Sequence, residues 1–342
     1  MRLNISKATK DSSLREEHVL VQEKNAEEIM NENSTIVVGF ILQGIYQQSD
    51  LQALLFTAFL IIYIFILTGN TLVFAATVFN RALHTPMYFF LRHLSFLDIC
   101  FASVTLPHML MNLLSEKKTI SFLGCAMQMF FFIFLGASVC YLLAVMAYDR
   151  YLAICHPLHY IRLMTKRACF LLVAGCWLTG LSISLVQTLL LFSLPFCGSD
   201  IINHFFCDIL PLMKLHCPSF HIIDVERILT AFLVLATTFI LILVSYILII
   251  ATILKIPLMG GRQKALGTCS SHILSVLVFY GAVMFMYLRP HSHYSDSMDK
   301  LLSLTYTVAP AVLNPIIYSL KNKQVKDTLR NMFIERNCSV GT

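Results

Sequence analysis

The chain has 342 residues, 57% of them hydrophobic and only 13% charged, with a formal net charge of +6 and a mean hydropathy of +0.74. That balance excludes an ordinary soluble domain, in which about a quarter of residues carry charge. The positive charge forms no stripe suited to nucleic acid, so the expected solvent is lipid.

A helix crosses the hydrocarbon layer with roughly 20 mostly apolar residues. Seven such stretches are present, at about 51–79, 86–113, 122–148, 167–191, 225–254, 266–288 and 300–320. The predicted fold is therefore an all-α membrane protein, a bundle of seven transmembrane helices. Residues 1–50 form a tail, 51–320 the membrane domain and 321–342 a second tail. An odd number of crossings places the two tails on opposite sides. Basic residues in short loops mark the cytoplasmic face; Arg81, Arg150, Arg162, Lys166, Arg167, Lys255, Arg262 and Lys264 gather on one side, together with Lys321, Lys323 and Lys326. The N-terminus is expected outside and the C-terminus inside.

Residues 1–29 are polar and lack the apolar core of a cleaved signal peptide, so the first span is expected to act as its own insertion signal. Asn4-Ile-Ser6 and Asn33-Ser-Thr35 are glycosylation sequons on the outer side. The first span carries Gly69-Asn70 and the second carries Asp98, after the entry Pro86-Met-Tyr-Phe-Phe-Leu91. An amide and a carboxylate at membrane depth must face other helices or water. The third span runs into Asp149-Arg150-Tyr151, an acid, a base and an aromatic at the membrane's edge. Between the fourth and fifth spans lies a long connection, Cys197-Gly-Ser-Asp-Ile-Ile-Asn-His204-Phe-Phe-Cys207-Asp208, continuing to Cys217. With Cys125 these make four cysteines on the side that permits disulfides. Spacing does not choose among their three pairings. A metal site built on His204 and His216 would compete with those disulfides for the thiolates, and neither metal nor cofactor is expected.

The sixth span opens with Lys264-Ala-Leu-Gly-Thr-Cys-Ser-Ser-His272, and the seventh contains Asn314-Pro315-Ile-Ile-Tyr318. Beyond it, Val325, Leu329, Met332 and Phe333 recur at helical spacing among lysines and an arginine, the pattern of a short amphipathic helix on the cytoplasmic surface.

Taken with Met146-Ala-Tyr-Asp149-Arg150-Tyr151-Leu-Ala-Ile-Cys155-His156-Pro157-Leu-His159-Tyr160, these strings resemble the olfactory receptors, a family of rhodopsin-like G-protein-coupled receptors. The resemblance runs from about Asn33 to Arg330, and Pro157-Leu-His-Tyr160 is similar to the tetrapod-type division. It makes residues 1–29 an extension before Met30. It implies a disulfide from Cys125 to Cys207 with Cys197 to Cys217, Cys125 to Cys217 being the alternative. It groups Asn70, Asp98 and Asn314 around one inner polar cavity. Val139 stands where the family commonly has an acid, so a cation shared between that acid and Asp98 loses support.

The same resemblance implies the function. A small odorant binds in the outer half of the bundle, and a stimulatory, olfactory-type heterotrimeric G protein is activated at the inner face, raising cyclic AMP. Nothing is chemically transformed, so no enzyme activity is expected. Ser270, Ser271 and His272 have no acid in their span to complete a hydrolytic set, and no internal repeat suggests a transporter. The switch residues would be Asp149, Arg150, Tyr151, Tyr246, Asn314, Pro315 and Tyr318, with Arg150 paired to Asp149 at rest. Candidate ligand contacts are Phe132, Ile133, Gly136, Ala137 and Cys140 in the third span and Thr230 and Val234 in the fifth. Tyr280, Val283 and Tyr287 in the sixth and Thr305 and Tyr306 in the seventh complete the set. These residues are mostly apolar and carry no charge, which suits a small hydrophobic molecule and argues against a cationic one. The expected location is the plasma membrane.

Overall fold

A proline at the first helical position costs no hydrogen bond, and Pro86 and Pro157 begin two helices in this way. Ser121 and Thr165 cap two others, their hydroxyls accepting from Gly124 N at 3.1 Å and Ala168 N at 3.2 Å. The computed structural model describes residues 39–44, 49–115, 118–197, 199–216, 221–255, 259–287, 296–321, 325–328 and 330. Within them the order is β1 (Gly39–Leu42), α1 (Ser49–Phe79), α2 (Pro86–Leu114), β2 (Thr119–Ser121), α3 (Phe122–Cys155), α4 (Pro157–Leu163), α5 (Lys166–Phe192), β3 (Ile201–Ile202), α6 (Ile209–Met213), α7 (His221–Lys255), α8 (Met259–Tyr287) and α9 (Asp296–Lys321).

α1, α2, α3, α5 and α7 contain stretches long and apolar enough to cross a bilayer, and α8 and α9 carry the shorter apolar stretches Cys269–Val283 and Thr307–Tyr318. These are the seven predicted spans. α3 is the axis of the bundle, packing along α2, α5 and α7, while α9 closes the other side against α1, α2 and α8. The outward faces are apolar too, Leu54 being 65% and Phe232 67% exposed, as expected where lipid replaces water.

Helix ends differ from the apolar boundaries. α3 continues past residue 148 to Cys155, because nothing in Asp149-Arg150-Tyr151-Leu-Ala-Ile opposes helix and only the approach to Pro157 does. Asp149 and Arg150 are therefore helical residues with a defined direction. α8 starts at Met259, ten residues before its apolar stretch Cys269–Val283. Residues 325–328 are helical, with Val325 and Thr328 buried and Lys326 and Asp327 exposed. Asn80 donates to the Thr328 hydroxyl at 2.8 Å, holding this turn against the connection between α1 and α2.

The N-terminal tail contributes a strand that the sequence reading did not include. β1 pairs antiparallel with β2, Phe40 opposite Ile120, and parallel with β3, Leu42 opposite Ile202, so the sheet order is β2-β1-β3. Phe40 and Leu42 alternate with partly exposed Ile41 and enter a small core with Leu191, Phe196 and Leu212. Gly39 is required by close approach, since a Cβ there would stand 2.7 Å from the Ile120 carbonyl oxygen.

Candidate functional site

Beneath that sheet, Phe132, Ile133, Gly136, Ala137 and Cys140 of α3 recur at one-turn intervals and so present one face. They line a cavity of about 130 Å³ together with Phe101 of α2, Ile183 and Gln187 of α5, Thr230, Ala231, Val234 and Leu235 of α7, and Phe279 and Val283 of α8. A cavity on the order of 150 Å³ lined by Leu, Ile and Phe accepts benzene, so a small apolar molecule fits this one. Asp208 and Ile209 close its outer side.

The loop holding them is fastened twice. Cys125 of α3 is disulfide-bonded to Cys207 across 82 positions of sequence. Gln128, one helical turn further along α3, accepts from Cys207 N at 3.0 Å and donates to the Val104 carbonyl at 3.0 Å. The alternative of Cys125 with Cys217 is thereby excluded. Cys197 is also disulfide-bonded; Cys217 lies outside the described residues, as do the sequons at Asn4 and Asn33.

Three expectations about the wall are corrected. It carries a charge, because the disulfide draws Asp208 in over α3, where its Oδ1 accepts from Ile209 N at 2.7 Å and caps α6. Tyr280 is not in the wall: its hydroxyl donates to Thr238 of α7 at 2.6 Å, and Phe279, about 100° away on the helix, takes its place. The fourth span contributes, through Ile183 and Gln187. The side chains of Tyr287, Thr305 and Tyr306 lie outside the described residues.

Further in, the bundle is polar and joined. The Asn314 carboxamide donates to Asp98 Oδ2 at 2.8 Å and accepts from the Ser275 hydroxyl at 2.6 Å, tying α9 to α2 and α8. Pro315 lacks an N–H, which leaves the carbonyl four residues earlier without its helical donor. That carbonyl is Ala311, and Asn70 of α1 donates to it at 3.0 Å. Beside it, an added Cβ at Gly69 would come 3.1 Å from the Pro315 ring, so glycine sets how closely α1 and α9 approach.

At the inner end, neighbouring residues of a helix do not face each other, and Asp149 and Arg150 part company. Asp149 Oδ1 accepts from the Tyr160 hydroxyl at 2.9 Å, while Arg150 turns into the bundle and is 7% exposed. No ion pair joins the two among the described residues, which corrects the expected resting pair. Burial, with the Asp149 carboxylate beside it, pushes Tyr160 above the usual phenol range, so it remains a donor. Tyr151 points the other way, to His156 Nε2 at 2.9 Å. Arg150 lies near enough to act electrostatically on Tyr246, His272 and Tyr318. The Tyr246 hydroxyl and His272 Nδ1 are 2.6 Å apart with their rings stacked at 5.8 Å. Arg150 Nη2, His272 Nε2 and the Tyr318 hydroxyl are buried without a partner among the described residues. Each such atom costs about 1–3 kcal/mol when nothing satisfies it.

Sequence reasoning omitted Gln128, Gln187, His272, Ser275 and Phe279 from the site. A signal existed for the first four, since each is a polar side chain inside an apolar span.

The family model described as olfactory receptor matches residues 59–336. Olfactory receptor 5AP2 of Mus musculus is 48% identical over 306 residues, covering 89% of this chain and 96% of its own length. Olfactory receptor 10A5 of Homo sapiens is 49% identical over 311 residues, covering 90% and 98%. The crystal structure of squid rhodopsin superposes with a TM-score of 0.65 at 18% identity, covering 85% of this chain and 87% of that one; this likeness shows the rhodopsin-like seven-helix fold. A seven-helix bundle with an apolar outer cavity, matched over most of its length by such relatives, belongs to the olfactory receptor family.

Proposed function

We propose that the chain is an odorant receptor of the plasma membrane, with its N-terminus outside and its C-terminus in the cytoplasm. It binds small, mostly apolar, uncharged molecules in the outer cavity and activates a stimulatory, olfactory-type heterotrimeric G protein, raising cyclic AMP. Residues 51–320 form the receptor domain, 1–50 the outer tail and 321–342 the cytoplasmic tail. The observation that carries this reading is the apolar cavity on α3, α5, α7 and α8, closed outside by a disulfide-fastened loop, in a chain of this family.

A ligand shifts a two-state bundle only by its difference in affinity for the two states, and about 1.4 kcal/mol moves the balance tenfold. Through α3 the cavity wall is continuous with Arg150, and through α8 with Ser275 and His272. Movement of α8 would alter the Tyr246–His272 and Ser275–Asn314 bonds together, letting Arg150, Tyr246 and Tyr318 regroup around an inner cleft that admits the G protein. In transfected cells, a panel of volatile compounds should find an agonist that raises cyclic AMP. Arg150→Ala should abolish that response while surface staining persists; a full response from this variant would remove Arg150 from the mechanism.

A further inference from the structure

Among the described residues, the buried side-chain amides of the bundle other than Gln187 each make at least one hydrogen bond, although Asn70 Oδ1 has none. Asn70 links α1 to the Ala311 carbonyl, Gln128 links α2 to the outer loop, and Asn314 links α2 to α8. Gln187 is the exception. It is 7% exposed, it lies in the cavity wall, and no hydrogen bond of its carboxamide is made among the described residues. Most buried polar side-chain atoms are hydrogen-bonded, and in a membrane the cost of leaving one unmade is not relieved by surrounding water. An amide turned to a cavity among phenylalanines, valines and isoleucines meets that need through whatever occupies the cavity.

From this we infer that Gln187 is the group that recognises the polar end of the ligand. The ligand is a neutral molecule with an apolar body and one oxygen function, hydroxyl or carbonyl. The inference deepens the odorant reading above and rests on it. A carboxamide both donates and accepts, so it satisfies an alcohol in either sense and donates to a ketone or aldehyde. Thr230, across the cavity, already donates to Glu226 at 2.8 Å and retains only acceptor capacity. A carboxylate ligand would meet Asp208 in the same wall, with no cation among the described lining residues to offset it. An ammonium would exchange its hydration for a mostly hydrocarbon surface.

The test uses full-length receptor in cells with a cyclic AMP readout and surface immunostaining. The probes are five- to ten-carbon series of 1-alkanols, 2-alkanones, alkanes, alkylammonium ions and carboxylates. The wild-type should answer alkanols or alkanones. In Gln187→Leu and the volume-matched Gln187→Met, the concentrations for half-maximal response should rise about tenfold or more, as loss of one hydrogen bond implies. Both variants should reach the surface at wild-type level, since no protein bond is lost. Unchanged potency in the variants would overturn the role of Gln187 alone, as would a wild-type that answers only alkanes or ions. If neither variant reaches the surface, the amide has a structural partner and the inference fails. A wild-type silent to every series, beside a responding control receptor, overturns the odorant reading and this inference with it.

Discussion

The outer and inner halves of the bundle are built from the same helices to opposite specifications. Outside, α3 faces a cavity with apolar walls, and order comes from a three-stranded sheet, a disulfide and one glutamine clamp. Inside, the helices meet through side-chain hydrogen bonds, from Asn70 through Asn314 and Ser275 to Tyr246 and His272. Dispersion and apolar burial do not depend on direction, so the outer wall can change its residues and its ligands without disturbing the fold. Hydrogen bonds do depend on direction, and a movement that breaks one in the inner half forces its neighbours to regroup. A tunable site is thus joined to a discrete switch.

Five substitutions would break or sharpen that contrast. Cys207→Ser should have the largest effect, because removing a native disulfide costs about 2–5 kcal/mol. Surface immunostaining should fall several-fold; wild-type levels would mean that Gln128 and the sheet hold the loop unaided. Next is Gly180→Ala, where α5 crosses α3. An added Cβ there would meet the Ser138 hydroxyl and come 2.8 Å from the Phe134 carbonyl oxygen, with rigid backbone on one side, for a loss of about 1–3 kcal/mol. Gly175→Ala on the same helix meets nothing within 4 Å and should change thermal stability in detergent by no more than about 0.5 kcal/mol. Equal effects at the two sites would show that close packing of α5 on α3 is not what supports the cavity.

Tyr246→Phe should cost about 1 kcal/mol, one net hydrogen bond, but it should be read in signalling rather than abundance. Surface level stays near wild-type while basal or agonist-evoked cyclic AMP shifts; a concentration–response curve superposing on wild-type would place the switch elsewhere. Smallest is Gly39→Ala, whose Cβ presses on the Ile120 carbonyl of β2; because β2 is an edge strand of the sheet and can give way, β1 should loosen from it by no more than about 1 kcal/mol. The check is faster proteolysis of the N-terminal tail on intact cells, with agonist potency little altered.

The legibility of the molecule in its sequence followed the range of the interactions. Five of the seven spans could be read to within a few residues because burial in lipid is signalled by a local run of apolar residues. The inner network was largely readable as well, since Asn70, Asp98 and Asn314 are polar residues at a depth where polarity needs a partner. The outer region was not. β1 is four residues of ordinary alternation, and its status as a strand depends on partners from Thr119–Ser121 and Ile201–Ile202. Read along the chain, Gln187 is one polar residue among several in the fourth span; only the seating of α5 beside the cavity sets it apart.

By itself the sequence determined the lipid environment, the number of crossings and the family, because all three are written in runs and strings read along the chain. Only the tertiary structure decided which cysteine closes the loop over α3, that Asp149 turns to Tyr160 while Arg150 turns inward, and that Gln187 of α5 lines the cavity. Each of these depends on how one helix is rotated and seated against another, and that rotation is set by the packing of residues far apart in the chain.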